Sequence, residues 1–578
     1  MTLLSTYDKH PVVSVSHSSN GCAVGWPRAL ERLRAAKART LCVECYPGVF
    51  VEEIAQAFAS GLEPSQVFLT TVCMKTCQEL DLMLAPYLGD DRVFGRMSGL
   101  GIRDFFDPCK LEAVRQQIAQ CEGNVLIIGT GASLLAPEAE LLVYADMARW
   151  EIQTRQRNNE IPSLGAQDQA EHPSRKYKRA FFVDWRAADR LKMRLLPKMD
   201  FLLDTNDRQN PKLIAGDLFR RALESTVRRP FRMVPLFDPG PWGGEWMRKH
   251  FDLPKDAPNF AWCFDCVPEE NSLLLGFGEV SIEIPSLDLV FSHPRELLGE
   301  AVHARFGTEF PIRFDMLDTM GGGNLSLQVH PLTEYIQEQF GMHYTQDESY
   351  YLLDAEKGAV VYLGLKEDAK PAEMLHALEC ADRGGAPFPA DQFVNRWPVK
   401  KHDHLLIPAG TIHCSGKDCM VLEISATPYI FTFKLWDWGR MGLDGEPRPV
   451  HLDHGRESIQ WDRKTGWVRQ NLVNRFEAVT SRDGWHEERT GLHEREFIET
   501  RRHWFTGKVE HDTSGGVNVL NLVEGPEVVV ESPHEAFEPL VVHYAETFIV
   551  PAAVGQYTVR PTQPGRCATV KAYVRTNP

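Results

Sequence analysis

Two imidazoles, one carboxylate and one amide oxygen are the residue types that could do chemistry here. Gln328 and His330 stand in Leu325-Ser326-Leu327-Gln328-Val329-His330-Pro331, Glu348 in Gln346-Asp347-Glu348-Ser349-Tyr350-Tyr351-Leu352-Leu353-Asp354, and His413 in Leu405-Leu406-Ile407-Pro408-Ala409-Gly410-Thr411-Ile412-His413. Together they form an N/O donor set suited to a divalent metal, zinc first, with iron, manganese or cobalt as chemical alternatives. The amide and neutral imidazoles carry no charge and Glu348 carries one, so a divalent ion leaves the centre with net positive charge. Such a centre polarises a sugar carbonyl or hydroxyl.

The elements needed to position these residues are short strands. Gln328 and His330 are two apart and share one face of a strand. Tyr350–Leu353, Ala359–Leu365 and His404–Ile407 are further strands with antiparallel spacing. Glu373–Cys380 reads as a helical excursion, and the Pro408–Thr411 turn delivers His413.

The three runs, in this order, resemble the type I phosphomannose isomerase family, which is metal-dependent and built from cupin barrels. The resemblance spans roughly residues 230–578. It implies Gln328, His330, Glu348 and His413 as metal ligands, and it matches Trp242-Gly243-Gly244 near the start of the region. It places the family's catalytic arginine on Lys434, ahead of Leu435-Trp436-Asp437-Trp438. Lysine keeps the charge but not the fork of donors. The family's Gly-Lys-Thr before the glutamate is Thr345-Gln346-Asp347 here, and Glu423-Ile424-Ser425-Ala426-Thr427-Pro428 replaces a run containing two glutamines. The ligands are kept while their surroundings change. The expected function is therefore a metal-dependent aldose–ketose isomerase of a small-molecule sugar phosphate. The alternative is a non-catalytic metal-containing cupin that binds a sugar or sugar phosphate, with a regulatory N-terminal domain.

The rest of the chain sets the frame. At 578 residues it exceeds one core. A net charge of −16 excludes a basic nucleic-acid footprint. No apolar run is long enough to span a bilayer, and MTLLSTYDKHPVVSVSHSS lacks the pattern of a secretory signal. The 13 scattered cysteines suit reduced thiols, so a cytoplasmic location without membrane partner is expected. The CxxC pairs Cys42/Cys45 and Cys263/Cys266 read as buried thiols rather than a shared zinc site.

Residues 1–228 alternate strand and helix and predict a mostly parallel α/β sheet domain. Val125–Gly129 is its clearest strand and runs into Gly129-Thr130-Gly131, a turn of the kind that cradles phosphate. GxxxxGK followed by Ser or Thr is absent, as is GxGxxG. The segment Tyr144–Arg157, with Phe182-Val183-Asp184-Trp185, resembles the lid region of P-loop kinases. The Met147–Arg157 arginines are expected on a solvated helix face. Residues 156–178 read as a loop or lid, and Leu213–Val227 as a helix. Residues 229–450 are expected to form the metal-binding cupin domain and 451–578 a second cupin barrel without metal ligands. Phe548-Ile549-Val550-Pro551-Ala552 echoes Leu405–Ala409 there, and the second set of strands is expected from near Arg495.

Overall fold

The computed structural model describes residues 5–16, 20–427, 429–491, 493 and 495–576. The first residues of the N-terminal segment, its His17–Ser19 stretch, and Pro428 lie outside the described residues. The chain forms a multidomain α/β protein with two compact units.

One unit comprises Val12–Thr226 and Ser272–His293. Its main sheet runs Cys22–Val24, Lys212–Ala215, Phe201–Asp204, Leu141–Asp146, Thr40–Cys45, Val125–Gly129, Gln66–Leu69, and the last five strands are parallel. Val125–Gly129 is buried along its whole length, as expected for a strand covered on both faces. Leu213 belongs to an antiparallel strand, and the following helix is Gly216–Thr226, so the helix expected from Leu213 starts later. The loop expected over 156–178 contains the start of helix Pro173–Arg179. The hairpin Ser272–Phe277/Val280–Pro285 pairs with Val12–Ser16 in a separate three-stranded sheet. Residues 272–293 therefore join this unit, although the sequence reading placed them beyond residue 228.

The other unit holds four antiparallel sheets. A six-stranded sheet runs His404–Ile407, Asp347–Ala355, Cys419–Ala426, Arg313–Asp318, Trp262–Cys266, Leu236–Asp238. A five-stranded sheet runs Val394–Pro398, Val360–Leu365, His413–Ser415, Leu327–Val329, Phe433–Trp436. A second six-stranded sheet runs Glu477–Arg482, Trp485–Gly491, Ile498–Phe505, Cys567–Val574, Asn518–Glu524, Thr547–Val550, and a four-stranded sheet runs Val509–Asp512, Gln556–Pro561, Glu527–Glu531, Leu540–His543. Helix Pro371–Asp382 is the expected excursion. The later strands begin at Glu477, before Arg495. The charged hairpin Glu477–Arg482/Trp485–Gly491 has few buried apolar positions and so escapes hydrophobic alternation.

Candidate metal centre

Three neighbouring strands of the five-stranded sheet bring the first donors together. Gln328 is cross-strand partner to His413 on one side and to Lys434 on the other. Directly opposed residues of an antiparallel pair share a face, so all three project the same way. Glu348 reaches the same point from the facing six-stranded sheet. His330, Glu348 and His413 are at most 1% exposed, and Gln328 is also buried.

Glu348 Oε2 lies 3.1 Å from His330 Nε2, and Glu348 Oε1 lies 2.8 Å from His413 Nε2. The far side of each ring decides what the near side can do. His330 Nδ1 is 2.8 Å from the Phe431 carbonyl oxygen, and His413 Nδ1 is 2.9 Å from the Thr411 carbonyl oxygen. A carbonyl only accepts, so in the neutral rings Nδ1 carries the proton and Nε2 offers a lone pair. Two lone pairs then face a carboxylate, an arrangement that a cation at their centre resolves. His330 Nε2 and Glu348 Oε1 make no hydrogen bond among the described residues, although both are buried. The donor atoms of His330, Glu348 and His413 lie within 4.8 Å of one another. These residues fit a divalent metal, and the carbonyl-oriented imidazoles are the usual support for one.

Gln328 is placed with its amide nitrogen 3.2 Å from His413 Nε2 and its oxygen accepting from Ser326 Oγ at 3.1 Å. Exchanging the amide atoms turns oxygen toward the centre while the Ser326 hydroxyl accepts instead. Burial opposes ionisation of Glu348, but His330 and His413 hold its carboxyl well below the usual range. Burial opposes charge on His330, and Glu348 outweighs it to raise the imidazole.

The Pro408–Thr411 turn is tied to the strand that carries Glu348 and to Arg463. Asp347 Oδ1 accepts from the Ala409 amide at 2.7 Å, and Arg463 Nη1 donates to the Pro408 and Ala409 carbonyls at 2.7 Å each and to Thr411 Oγ1. Burial lowers the Arg463 guanidinium to about 10. Gly410 has φ +86°, and a Cβ there would meet Gln460 Cγ at 2.6 Å.

Sequence reasoning missed Arg463, Gln346 and Asp315. Gln346 donates to Glu348 Oε2 at 3.0 Å and accepts from the Phe431 amide at 3.0 Å, in the place where the family resemblance implies a lysine-containing run. Asp315, Glu423 and Tyr350 are successive cross-strand partners on the Glu348 face. Period-two spacing from Glu348 marks Tyr350, but the pairings of Asp315 and Glu423 have no local signal. Burial pushes Asp315 up to about 6, with Arg313 opposing and Glu348 adding. Lys434 is half-buried beside the centre.

The other sequence candidate, Gly129-Thr130-Gly131, already holds an anion. Gly131 N and Ser133 N donate to the Glu44 carboxylate at 2.5 and 2.9 Å, and Ser133 Oγ at 2.7 Å. The chain's own carboxylate thus fills the cradle. After Thr40–Cys45 the chain turns within Tyr46–Val49 into helix Val51–Leu62, with no long loop to wrap a phosphate. The arginines of helix Arg149–Arg157 are not uniformly solvated. Arg149 and Arg155 are at most 2% exposed. Arg149 pairs with Asp189 at 2.6 Å, and Arg155 donates to the Gly48 and Thr205 carbonyls at 3.0 Å each, so buried acceptors draw them inward. Cys42, Cys45, Cys263 and Cys266 are free, buried thiols. Among the described residues no helix is long and apolar enough to cross a membrane.

A family model described as "Domain of unknown function (DUF8485)" matches residues 25–228. The chain is 29% identical over 214 residues to the mannose-6-phosphate isomerase of Streptococcus mutans, covering 37% of this chain and 62% of that protein. It thus spans less than two thirds of that relative's length. It is 27% identical over 237 residues to mannose-6-phosphate isomerase ManA of Bacillus subtilis, covering 40% of this chain and 68% of that protein. The crystal structure of mannose 6-phosphate isomerase from Bacillus subtilis superposes with a TM-score of 0.50 at 19% identity, covering 60% of this chain and 99% of that one. At that identity the likeness is one of fold.

Proposed function

We propose that the chain is a metal-dependent aldose–ketose isomerase of a small-molecule sugar phosphate, built as an N-terminal α/β domain followed by two cupin-type barrels. The observation that carries the reading is the convergence of His330, Glu348 and His413 with two Nε2 lone pairs turned toward one carboxylate. The similarity to mannose-6-phosphate isomerases supports the reaction class, while the altered surroundings of the ligands leave the sugar to experiment.

Gln328, His330, Glu348 and His413 would hold the ion, zinc being the first choice. When bound, it supplies Lewis acidity toward a sugar carbonyl or hydroxyl. The chain's own residues do the rest. Aldose–ketose interconversion moves a proton between C1 and C2 and builds negative charge on the neighbouring oxygens. Lys434, on the same face as Gln328, places an ammonium beside that charge. Gln346 and the Phe431 and Thr411 carbonyls fix the carboxylate and both rings, so little reorganisation accompanies the reaction.

The test is metal content measured beside isomerase assays on a panel of hexose and pentose phosphates, with His413→Ala as control. Turnover that requires metal and disappears in the variant is expected, and it names the sugar. Stoichiometric metal with no turnover on any sugar overturns the isomerase and leaves a sugar-phosphate-binding protein.

A further inference from the structure

The second six-stranded sheet repeats the first strand for strand, and the four-stranded sheet repeats four strands of the five-stranded sheet, Phe433–Trp436 having no counterpart. Ile407-Pro408-Ala409 corresponds to Val550-Pro551-Ala552. Glu348 faces Ile407 across its strand pair, and Asn518 faces Val550. Two residues on, Tyr350 pairs with Glu423 and Leu520 pairs with Lys571. Glu423 in turn pairs with Asp315, and Lys571 with Arg501. On the facing sheets, Gln328 pairs with His413 and His511 with Tyr557. The correspondence extends to contacts: Tyr557 donates its hydroxyl to Asn518 Oδ1 at 2.9 Å, where His413 meets Glu348 at 2.8 Å.

At three of the matched positions the charge is reversed, and at the fourth it is lost. Arg313, Asp315, Glu348 and Glu423 become Glu499, Arg501, Asn518 and Lys571. The Arg313–Asp315 pair of one sheet is the Glu499–Arg501 pair of the other, with its order inverted. Arg501 also takes Glu487 at 3.2 Å. Glu499 and Glu487 are thereby engaged by Arg501, Glu487 lying also 3.4 Å from His503 Nε2, and among the described residues no carboxylate lies within ion-pairing distance of Lys571 Nζ, which sits 5.5 Å from the centre of the Tyr573 ring. Lys571 is nonetheless only 9% exposed. Beside it, on the same inward face, three buried polar atoms have no hydrogen-bond partner among the described residues: Thr569 Oγ1, His503 Nδ1 and His511 Nε2. The two rings meet edge to face with centroids 4.6 Å apart, and Tyr557 stacks on His511. Buried unsatisfied polar atoms in a native core call for an explanation, a bound ion among them.

We infer that this second pair of sheets is a binding site for a small tetrahedral oxyanion, inorganic phosphate or a phosphoryl group, held by Lys571, Thr569 and His511. A cation suits the acidic copy of the frame, whereas in the second copy an ammonium, a hydroxyl and the His511 imidazole N–H are donors matched to an anion. Burial lowers Lys571 to about 8 even with Glu487 opposing, and an anion at its ammonium would oppose that shift further.

The experiment is calorimetric titration of the chelator-treated full-length chain with inorganic phosphate and, separately, glycerol phosphate. One equivalent is expected to bind the wild type. Lys571→Met is expected to weaken it at least about tenfold. Thr569→Val, which removes a hydroxyl at constant shape, is expected to weaken it several-fold and serves if Lys571→Met does not fold. Glu348→Gln and Lys434→Met, which alter the other centre, are expected to bind phosphate as the wild type does. Phosphate binding equal to glycerol phosphate binding identifies the shared phosphoryl group as the recognised feature, and preference for one names the source. No binding of either, or binding lost in Lys434→Met but kept in Lys571→Met and Thr569→Val, overturns the inference. That result leaves the isomerase reading untouched, since its test is metal-dependent turnover.

Discussion

The Gly410 amide donates to the carbonyl of His330 at 3.0 Å, so the turn that delivers one imidazole is bonded to the backbone that carries the other. The two rings are therefore positioned as one object. Gly410 is left-handed and packed against Leu332 and Gln460, which leaves no room for a side chain. Gly410→Ala is expected to cost about 2–4 kcal/mol, from left-handed strain and overpacking together. Metal affinity is expected to fall in parallel. Urea denaturation and a zinc titration check both; unchanged affinity would show that the turn does not set the site.

Arg463 ties the same turn from a distant part of the chain. Arg463→Met removes a buried donor and leaves the Pro408 and Ala409 carbonyls without it. A loss of about 2–5 kcal/mol is expected, because buried acceptors left unpaired bear their full desolvation cost. Denaturation midpoints test this, and a change no larger than that of a surface arginine argues against the role.

Glu348→Gln keeps shape and removes charge. Metal content measured by atomic spectroscopy is expected to fall from stoichiometric to background. Retained metal in the variant would mean that the two imidazoles suffice.

Lys434 separates binding the metal from using it. Lys434→Met is expected to lower kcat about a hundredfold at unchanged metal content, the scale of removing one preorganised charge-stabilising group. Lys434→Arg is expected to restore part of it. Equal turnover in wild type and Lys434→Met assigns the residue to the surface instead.

Glu44 predicts a pH dependence of stability. Burial raises its folded-state carboxyl to about 7, despite hydrogen bonds from Ser133 and Gly131, against 4.5 for the free group. The folded chain therefore binds more protons than the unfolded chain between those values, and this contribution to stability falls as pH rises through the window. The change is about 3 kcal/mol across it. Urea denaturation of wild type and Glu44→Gln at about pH 5 and about pH 8 is expected to show a smaller difference between the two pH values in the variant. Identical pH dependence in both would place the titration elsewhere.

Local chemistry made much of this protein legible in one dimension. Leu327–Val329, the Glu348 strand and the His413 turn announce themselves by strand alternation and by Pro-Ala-Gly turn residues, and their donors are named by residue type alone. The strands from Asn518 to Pro561 are equally plain, because each buries one apolar face. Tertiary structure decided what depends on partners far along the chain. Ser272–Phe277 pairs with Val12–Ser16, a register no local period encodes. Glu44 fills the glycine turn because the strands ending at Cys45 and Gly129 lie side by side. The arginines of helix Arg149–Arg157 look solvated in sequence and are drawn inward by acceptors on other segments. The reversal of charge between Asp315, Glu423 and Arg501, Lys571 appears only once strand pairing sets those residues opposite one another, since pairing is a property of the folded sheet.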